Sequence, residues 1–328
     1  MSSTRFSFYL EQIDEVLLNK PEIQDPISLF EPQHYTVALG GKRIRPMMTL
    51  MAAGLCGGDP KRALDVAVCI EMTHTFTLIH DDIMDAADSR RGKPTAFKKW
   101  GTSKAILAGD SLFVCAMTYI NRYSNLLSVN ALSDMYKVYF NGVQEVCIGQ
   151  AYDLEMAEKG RASTEEYMRM IDGKTSALLR TALVMGGISV GASENHVSHL
   201  NELGTSLGLA FQIQDDLLDV NADFEKLGKT IGGDILEGKM TFLITSLLER
   251  VDKSTAQYVH QILSKPTRNH SDVSEIVDLL DKQNILSYTH EMIEGLYNRS
   301  VSALQAFDDS QYKQDLHDLI RFLRNREY

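Results

Sequence analysis

The sequence predicts an all-α chain, and three observations carry that prediction. Apolar residues recur at the i, i+3, i+4 spacing of a helix face through almost all of its 328 residues. Alternating apolar and polar runs of five or more residues, the pattern of a half-buried strand, are hard to find. Glycine and proline clusters fall between the periodic runs, where they read as punctuation.

The elements follow in chain order. Phe6 to Asn19 is the first periodic run. Gly40-Gly41 breaks the chain before Pro46 to Cys56, and Pro46 suits a first helical turn because an N–H there has no intrahelical partner to lose. Gly57-Gly58-Asp59-Pro60 ends that run; Ala63 to Asp88 is the next, closed by Gly92-Lys93-Pro94. Ser103 to Tyr123 and Val129 to Glu158 follow, then Thr164 to Gly187, read as one helix, and Glu194 to Val220. Beyond Gly232-Gly233 come Met240 to Arg250 and two or three further helices. Lys265 to Glu275 is polar and holds Pro266, which predicts a surface connection. With seven prolines and no Gly/Ser-rich or charge-run linker, residues 1–328 are expected to form a single bundle domain, without a solenoid repeat.

Composition narrows the function. An apolar content of 44% with 23% charged residues excludes a disordered tail or a small disulfide scaffold. The net charge of −11, from 33 basic against 44 acidic residues, gives no footprint for wrapping nucleic acid or an anionic membrane face. An anionic substrate then requires metal ions or locally clustered Lys and Arg. Cys56, Cys69, Cys115 and Cys147 stand far apart with no CxxC pair, which argues against a zinc cradle or a disulfide framework and for a reducing cytosol. The N-terminus lacks a signal-type apolar core, and the longest weakly polar stretch, Thr181 to Ala192, falls short of the ~18 residues of a membrane span. A cytoplasmic protein without a span is expected.

The sharpest motif is Asp81-Asp82-Ile83-Met84-Asp85, at the end of an apolar helical run. Asp81 and Asp85 lie one turn apart on one face with Asp82 beside them, so three carboxylates repel unless cations bridge them. Alone, this is a solvated acidic helix end. The pattern returns as Asp215-Asp216-Leu217-Leu218-Asp219 after a second apolar run. Two such patches facing each other across a cavity supply the oxygen ligands that Mg²⁺ prefers alongside substrate phosphates and water.

The basic residues form a second set. Gly40-Gly41-Lys42-Arg43-Ile44-Arg45-Pro46 places three cations before a helix start, an anion site by charge and backbone together. Arg90-Arg91-Gly92 follows the first acidic patch, and Lys174-Thr175, Lys229 and Lys239 complete the set. Gly173-Lys174-Thr175 and Gly228-Lys229-Thr230 imitate the end of a P-loop, but Met168 and Asp223 occupy its first glycine position. Asp219, Asn221 and Asp223 imitate an EF-hand start, but Phe224 and Thr230 occupy its glycine and glutamate positions. No nucleophile elbow or HExxH occurs.

Together these blocks resemble the trans-isoprenyl diphosphate synthases, the head-to-tail prenyltransferases. The matching blocks run in family order: Gly41 to Pro46, His74 with the first DDxxD, Arg90-Arg91-Gly92, Gly149-Gln150 with Asp153, Gly173-Lys174-Thr175, Phe211-Gln212 before the second DDxxD, and Gly228-Lys229 with Gly232, Asp234 and Gly238-Lys239. The resemblance implies a single orthogonal helical bundle of the isoprenoid synthase type around a central active-site cavity, working as a homodimer. It implies three Mg²⁺ ions on Asp81, Asp85 and Asp215, supported by Asp82, Asp216 and Asp219. Arg90, Lys174, Lys229 and Lys239 then clamp an allylic diphosphate (dimethylallyl, geranyl or farnesyl), while Lys42, Arg45, His74 and Arg91 hold isopentenyl diphosphate. The Thr175 hydroxyl, the Lys174 carbonyl and Gln212 stabilise an allylic cation, and Gln150 and Asp153 assist as water or metal partners. Phe76 and Thr77 stand five and four residues before Asp81, Phe76 about 7.5 Å down the helix, where a growing prenyl tail would meet them. That pair, with no insertion in DDIMD, is similar to archaeal-type geranylgeranyl diphosphate synthases; the other reading makes Phe76 core and gives the floor to Met, Leu and Tyr residues of the next helix. A farnesyl or longer product, a terpene cyclase and a regulatory prenyltransferase subunit are the alternatives. Arg321, Arg324 and Arg326 read as a frayed, solvated end rather than a basic tail over the diphosphates.

Overall fold

The computed structural model describes residues 4–18, 25–220 and 232–326. Its helices are α1 (Thr4–Leu18), α2 (Ile27–Ala38), α3 (Ile44–Leu55), α4 (Leu64–Met84), α5 (Ala96–Trp100), α6 (Thr102–Asn121), α7 (Val129–Lys159), α8 (Thr164–Ile171), α9 (Ala177–Ile188) and α10 (Glu194–Asp219). They continue as α11 (Gly233–Glu237), α12 (Phe242–Arg250), α13 (Lys253–Leu263), α14 (His270–Lys282), α15 (Ile285–Ala303) and α16 (Gln311–Arg324). The all-α expectation holds. Four helices follow α12 where two or three were expected, and α2 had no counterpart in the periodicity, having Pro32 inside it.

The chain forms two compact units, one of Met1–Phe140, Thr181–Leu200 and Phe307–Leu316, the other of Asn141–Arg180, Asn201–Ala306 and His317–Tyr328. In the first unit α4 packs along α6 and α3. Helix α3 is buried from Pro46 through Leu55, and α4 buries Val66 to Glu71 without a gap. Helices apolar on every side belong in a core, and each fully buried Leu, Ile or Met contributes about 1.5–3 kcal/mol. One polar anchor runs through this core. Arg43, in the left-handed conformation ahead of α3, donates to Glu71 at 2.6 Å, to Asp14 at 3.2 Å and to the carbonyl of Val37 at 3.0 Å. Its side chain and that of Glu71 are only 2% and 4% exposed, so each charge depends on the other.

A short hairpin follows α4: Ser89–Arg90 pairs antiparallel with Lys93–Pro94. Its central residues, Arg91 and Gly92, have φ of 53° and 72°, the two positive values of a type I′ turn. The tight Gly92-Lys93-Pro94 break is therefore a strand pair. The reading of Thr181 to Ala192 as the longest weakly polar stretch is corrected: among the described residues, Thr102–Asn125 is longer, and long and apolar enough to cross a membrane by length and composition. It contains α6, whose inner side lies on α4.

In the second unit α12 buries Phe242, Leu243, Ile244 and Leu247 and touches α8, α13, α14 and α15. Caps set the helix starts here. Ser163 and Glu166 form a capping box on α8, Asp252 caps α13, and Asn269 with Asp272 forms a second capping box on α14. The connection predicted for Lys265 to Glu275 thus ends at Asn269, where the side chain captures the orphan amides of a helix. Residues 164–187 were expected to be one regular helix. Instead a π turn, Asp172–Ser176, interrupts them, and the Ala177 amide bonds the Asp172 carbonyl five residues back.

Replacing Arg43 by Met leaves Glu71 and its charge buried alone. Arg43→Met is expected to lower stability by about 3–5 kcal/mol, measured as a shift in the urea midpoint with an unchanged slope. A shift below about 1 kcal/mol would mean the pair anchors nothing.

Candidate active site

In the first unit the DDIMD motif is the last turn of α4. The Asp85 amide bonds the Asp81 carbonyl at 2.8 Å, which sets the two residues one turn apart as their spacing predicts. Asp82 turns inward and is buried; Arg90, from the hairpin, grips its Oδ1 with Nε at 2.9 Å and Nη2 at 2.7 Å. Asp81 is half-buried and Asp85 exposed. Arg90, read from sequence as a diphosphate clamp, therefore also neutralises the one carboxylate of the motif that faces the interior.

The cationic residues gather beside it. Arg45 Nη1 lies 3.3 Å from His74 Nε2, and the buried Arg45 Nε has no protein partner. Arg91 lies over the backbone of Gly41, where a Cβ would stand 2.7 Å from its Nη2 and where φ is 148°. The positive φ suits glycine there, and the contact brings the guanidinium to the loop of the exposed Lys42. Burial, then the charges of Arg45, Arg91, Arg90 and Arg43, hold His74 well below the ordinary imidazole range, so it is neutral at pH 7. Burial also lowers Arg45 and Arg91. A pocket that crowds cations and leaves a buried guanidinium N–H open is matched to an anion.

On the same helix, Phe76 sits edge-on to His80 at 5.3 Å and tilted against Phe113 of α6 at 5.2 Å. Phe113 stacks on Tyr139 of α7 at 6.2 Å, and the Tyr139 hydroxyl lies 2.9 Å from Thr73 Oγ1. Thr77 returns its hydroxyl to the His74 carbonyl at 2.8 Å. An aromatic wall thus stands one to two turns below Asp81. Phe113 and Tyr139 were not singled out by the sequence, because a helix period does not tell which residues of two helices meet.

In the second unit Asp216, the middle residue of the other DDxxD, is the buried one. Its carboxylate accepts from the Tyr167 hydroxyl at 2.5 Å, the Phe242 amide at 3.0 Å and Gln212 Nε2 at 3.3 Å. Burial pushes its pKa up to about 7 against those bonds. Asp219 accepts the amides of Gly233 at 3.2 Å and Asp234 at 3.0 Å, starting α11, and burial raises it too. Asp215 pairs with Arg326 at 2.6 Å, and that guanidinium covers the Phe211 ring at 3.8 Å and bonds its carbonyl at 2.8 Å. The expected frayed end is thus corrected: Arg326 is only 7% exposed, and Arg324 pairs with Glu294. Their partners lie far away in sequence, which hid the contact.

Lys174 donates to Asp153 at 2.6 Å, and the Thr175 hydroxyl donates to Gln212 Oε1 at 3.0 Å. Thr175, Gln212 and Asp216 form one hydrogen-bonded line. Gln150 keeps a buried Nε2 with no protein partner. Lys239 binds Asp234 at 3.2 Å and Glu237 at 2.7 Å, next to Asp219's cap. Lys229 lies outside the described residues.

The donors fit a hard divalent cation. Carboxylate oxygens at Asp81, Asp85 and Asp215 are the ligand type for Mg²⁺, which takes one or two carboxylates and completes its shell with water and phosphate oxygens. Among the described residues no group of three His, Cys, Asp or Glu converges on one point.

Residues 27–280 match the polyprenyl synthetase family. A short chain isoprenyl diphosphate synthase of Methanothermobacter thermautotrophicus is 36% identical over 98% of this chain and 97% of its own. A geranylgeranyl diphosphate synthase of Sulfolobus acidocaldarius is 34% identical over 85% of this chain and 84% of its own. The crystal structure of geranylgeranyl pyrophosphate synthetase from Pyrococcus horikoshii superposes with a TM-score of 0.92 at 38% identity, covering 98% of this chain and 97% of that one.

Neutral His74 makes a pH prediction. The unfolded chain protonates this imidazole near pH 6.5, whereas the folded chain refuses the proton. Folding stability is therefore whole above about pH 6.5 and declines below it, by about 1.4 kcal/mol per pH unit from this residue. His74→Gln should flatten the fall of the melting midpoint between about pH 6.5 and 5. Parallel curves for the two proteins would remove His74 from the cationic cluster.

Proposed function

The chain belongs to the polyprenyl synthetase family, and from that premise we propose that it is a magnesium-dependent prenyltransferase making geranylgeranyl diphosphate. It joins isopentenyl diphosphate head to tail to dimethylallyl, geranyl or farnesyl diphosphate. On this reading Asp81, Asp85 and Asp215 would hold three Mg²⁺ ions, supported by Asp82, Asp216 and Asp219. Bound there, Mg²⁺ neutralises the diphosphate charge.

The chain's own residues do the rest. Arg90, Lys174, Lys229 and Lys239 hold the allylic diphosphate, whose C–O bond breaks with the electron pair leaving on pyrophosphate. Lys42, Arg45, His74 and Arg91 hold isopentenyl diphosphate so that its terminal alkene carbon bonds to the allylic C1. The Thr175 hydroxyl donates its hydrogen bond to Gln212 Oε1, which leaves its own oxygen lone pairs for the cation; the Lys174 carbonyl adds a second dipole. Neither oxygen is a strong nucleophile, so neither traps the cation. The proton lost afterwards passes to pyrophosphate.

The aromatic wall of Phe76, Phe113 and Tyr139 carries the reading of chain length. A prenyl tail descending α4 from Asp81 meets Phe76 after about five residues, some 7.5 Å. We take the protein to act as a homodimer in the cytoplasm. Ile106, Leu107 and Val114 of α6 are exposed apolar side chains suited to a second copy, and four scattered cysteines with no CxxC pair suit a reducing compartment.

The test is product analysis with isopentenyl diphosphate, Mg²⁺ and each primer, followed by dephosphorylation and chromatography. A twenty-carbon alcohol is expected; no condensation with any primer would turn the reading toward a cyclase or a regulatory subunit. Phe76→Ala should lengthen the product, and an unchanged product would put the floor elsewhere. Asp81→Ala should lower turnover by at least about 1,000-fold with an unchanged circular dichroism spectrum; near-normal turnover would remove Asp81 from the metal site.

A further inference from the structure

The π turn Asp172–Ser176 is confined on two sides. A Cβ on Gly149 of α7 would collide with the Lys174 amide nitrogen, and one on Gly173 would stand 2.7 Å from the Glu145 carbonyl oxygen. From α10, a Cβ on Gly208 would stand 2.5 Å from Ser176 Cα. Backbone meets backbone here, so a small shift of the turn moves Lys174 and Thr175 directly. π turns are uncommon and cluster at functional sites because their geometry needs support from outside the helix.

Arg180 supplies that support. Its Nη1 donates to Asp172 Oδ1 at 2.7 Å and reaches the Asp172 carbonyl at 3.5 Å, the oxygen that accepts the Ala177 amide across the π turn. Its Nη2 donates to Glu145 Oε2 at 2.5 Å on α7 and approaches Asp172 Oδ2 at 3.4 Å. The arginine side chain is 13% exposed, far less than either acid, and its fork fits both carboxylates at once.

We propose that Arg180 is a positioning residue that clamps Asp172, at the head of the π turn, to Glu145 of α7 and thereby sets where Lys174 and Thr175 present their polar atoms. Arg180 itself touches no reacting atom. The clamp rests on the proposed prenyl transfer only for the use made of Lys174 and Thr175.

The full chain and its Arg180→Ala and Arg180→Lys variants test this in two ways. Amide hydrogen exchange over residues 172–178 should rise on the order of tenfold in Arg180→Ala, with the peptides of α3 and α4 unchanged. Turnover number should fall on the order of tenfold to a hundredfold, while KM for isopentenyl diphosphate stays within about twofold because that site belongs to other residues. Lysine, a single point charge, should restore less than half of the loss, and adding Glu145→Gln to Arg180→Ala should cause little further loss. Unchanged exchange at 172–178 overturns the clamp. So does a rise spread evenly over the chain with both kinetic constants altered, which is general destabilisation. If the unsubstituted protein makes no prenyl product, the proposed function falls, and exchange alone decides the clamp.

Discussion

In each acidic triplet the middle carboxylate is buried, and this burial fixes how the outer two stand. A lone buried carboxylate costs several kcal/mol, so each needs its own partner. Asp82 takes the Arg90 guanidinium, a full countercharge. Asp216 takes neutral donors instead, Tyr167, the Phe242 amide and Gln212, and against their pull burial raises its pKa to about 7. With the middle residue turned inward, helix geometry sends its neighbours at one position before and three after toward the rim. The repulsion among three carboxylates on one turn is thereby relieved without any ion, and in the second triplet the outer two find partners of their own, Asp215 in Arg326 and Asp219 in the amides of Gly233 and Asp234.

The same burial ties the acidic motifs to groups distant in sequence. Arg90 reaches Asp82 because the I′ turn at Arg91-Gly92 folds the chain back after α4. Asp216 positions the amide of Phe242 at the start of α12, and Asp219 the amides at the start of α11. Gln212 links Asp216 to Thr175 and so to the π turn. The second triplet is thus joined to two helix starts and, through Gln212, to Thr175 by contacts of 3.3 Å or less.

Much of this was legible in the sequence, for a physical reason. Helix period and the one-turn spacing of carboxylates are local properties, so α4, α6, α7 and α10 and both DDxxD patches could be read directly. Inward-turned charges could not. Arg43 with Glu71, Arg326 with Asp215 and Arg180 with Glu145 each look like solvated residues until the fold supplies a partner. The π turn was hidden because one extra residue in a helical run changes the apolar period too little to see. The start of α14 was missed through polarity, although Asn269 and Asp272 make a capping box that a search for cap pairs would have found.

The cationic cluster completes the logic of an acidic protein that binds anions. Net charge acts over distances of about a Debye length, roughly 8 Å at physiological ionic strength, and cannot exclude an anion from a site where cations are closer than that. Arg43 is already neutralised by Glu71, which leaves Arg45 and Arg91 as the cations whose charge is not matched at contact distance beside neutral His74. Were His74 charged, it would add repulsion to that pair; held neutral, it still offers a ring N–H as a donor. On the proposed function, a diphosphate arriving there relieves repulsion that the folded chain otherwise sustains. Ligand binding then stabilises the first unit as well as aligning the substrate, and the buried, unpartnered Nε of Arg45 is where that gain is largest.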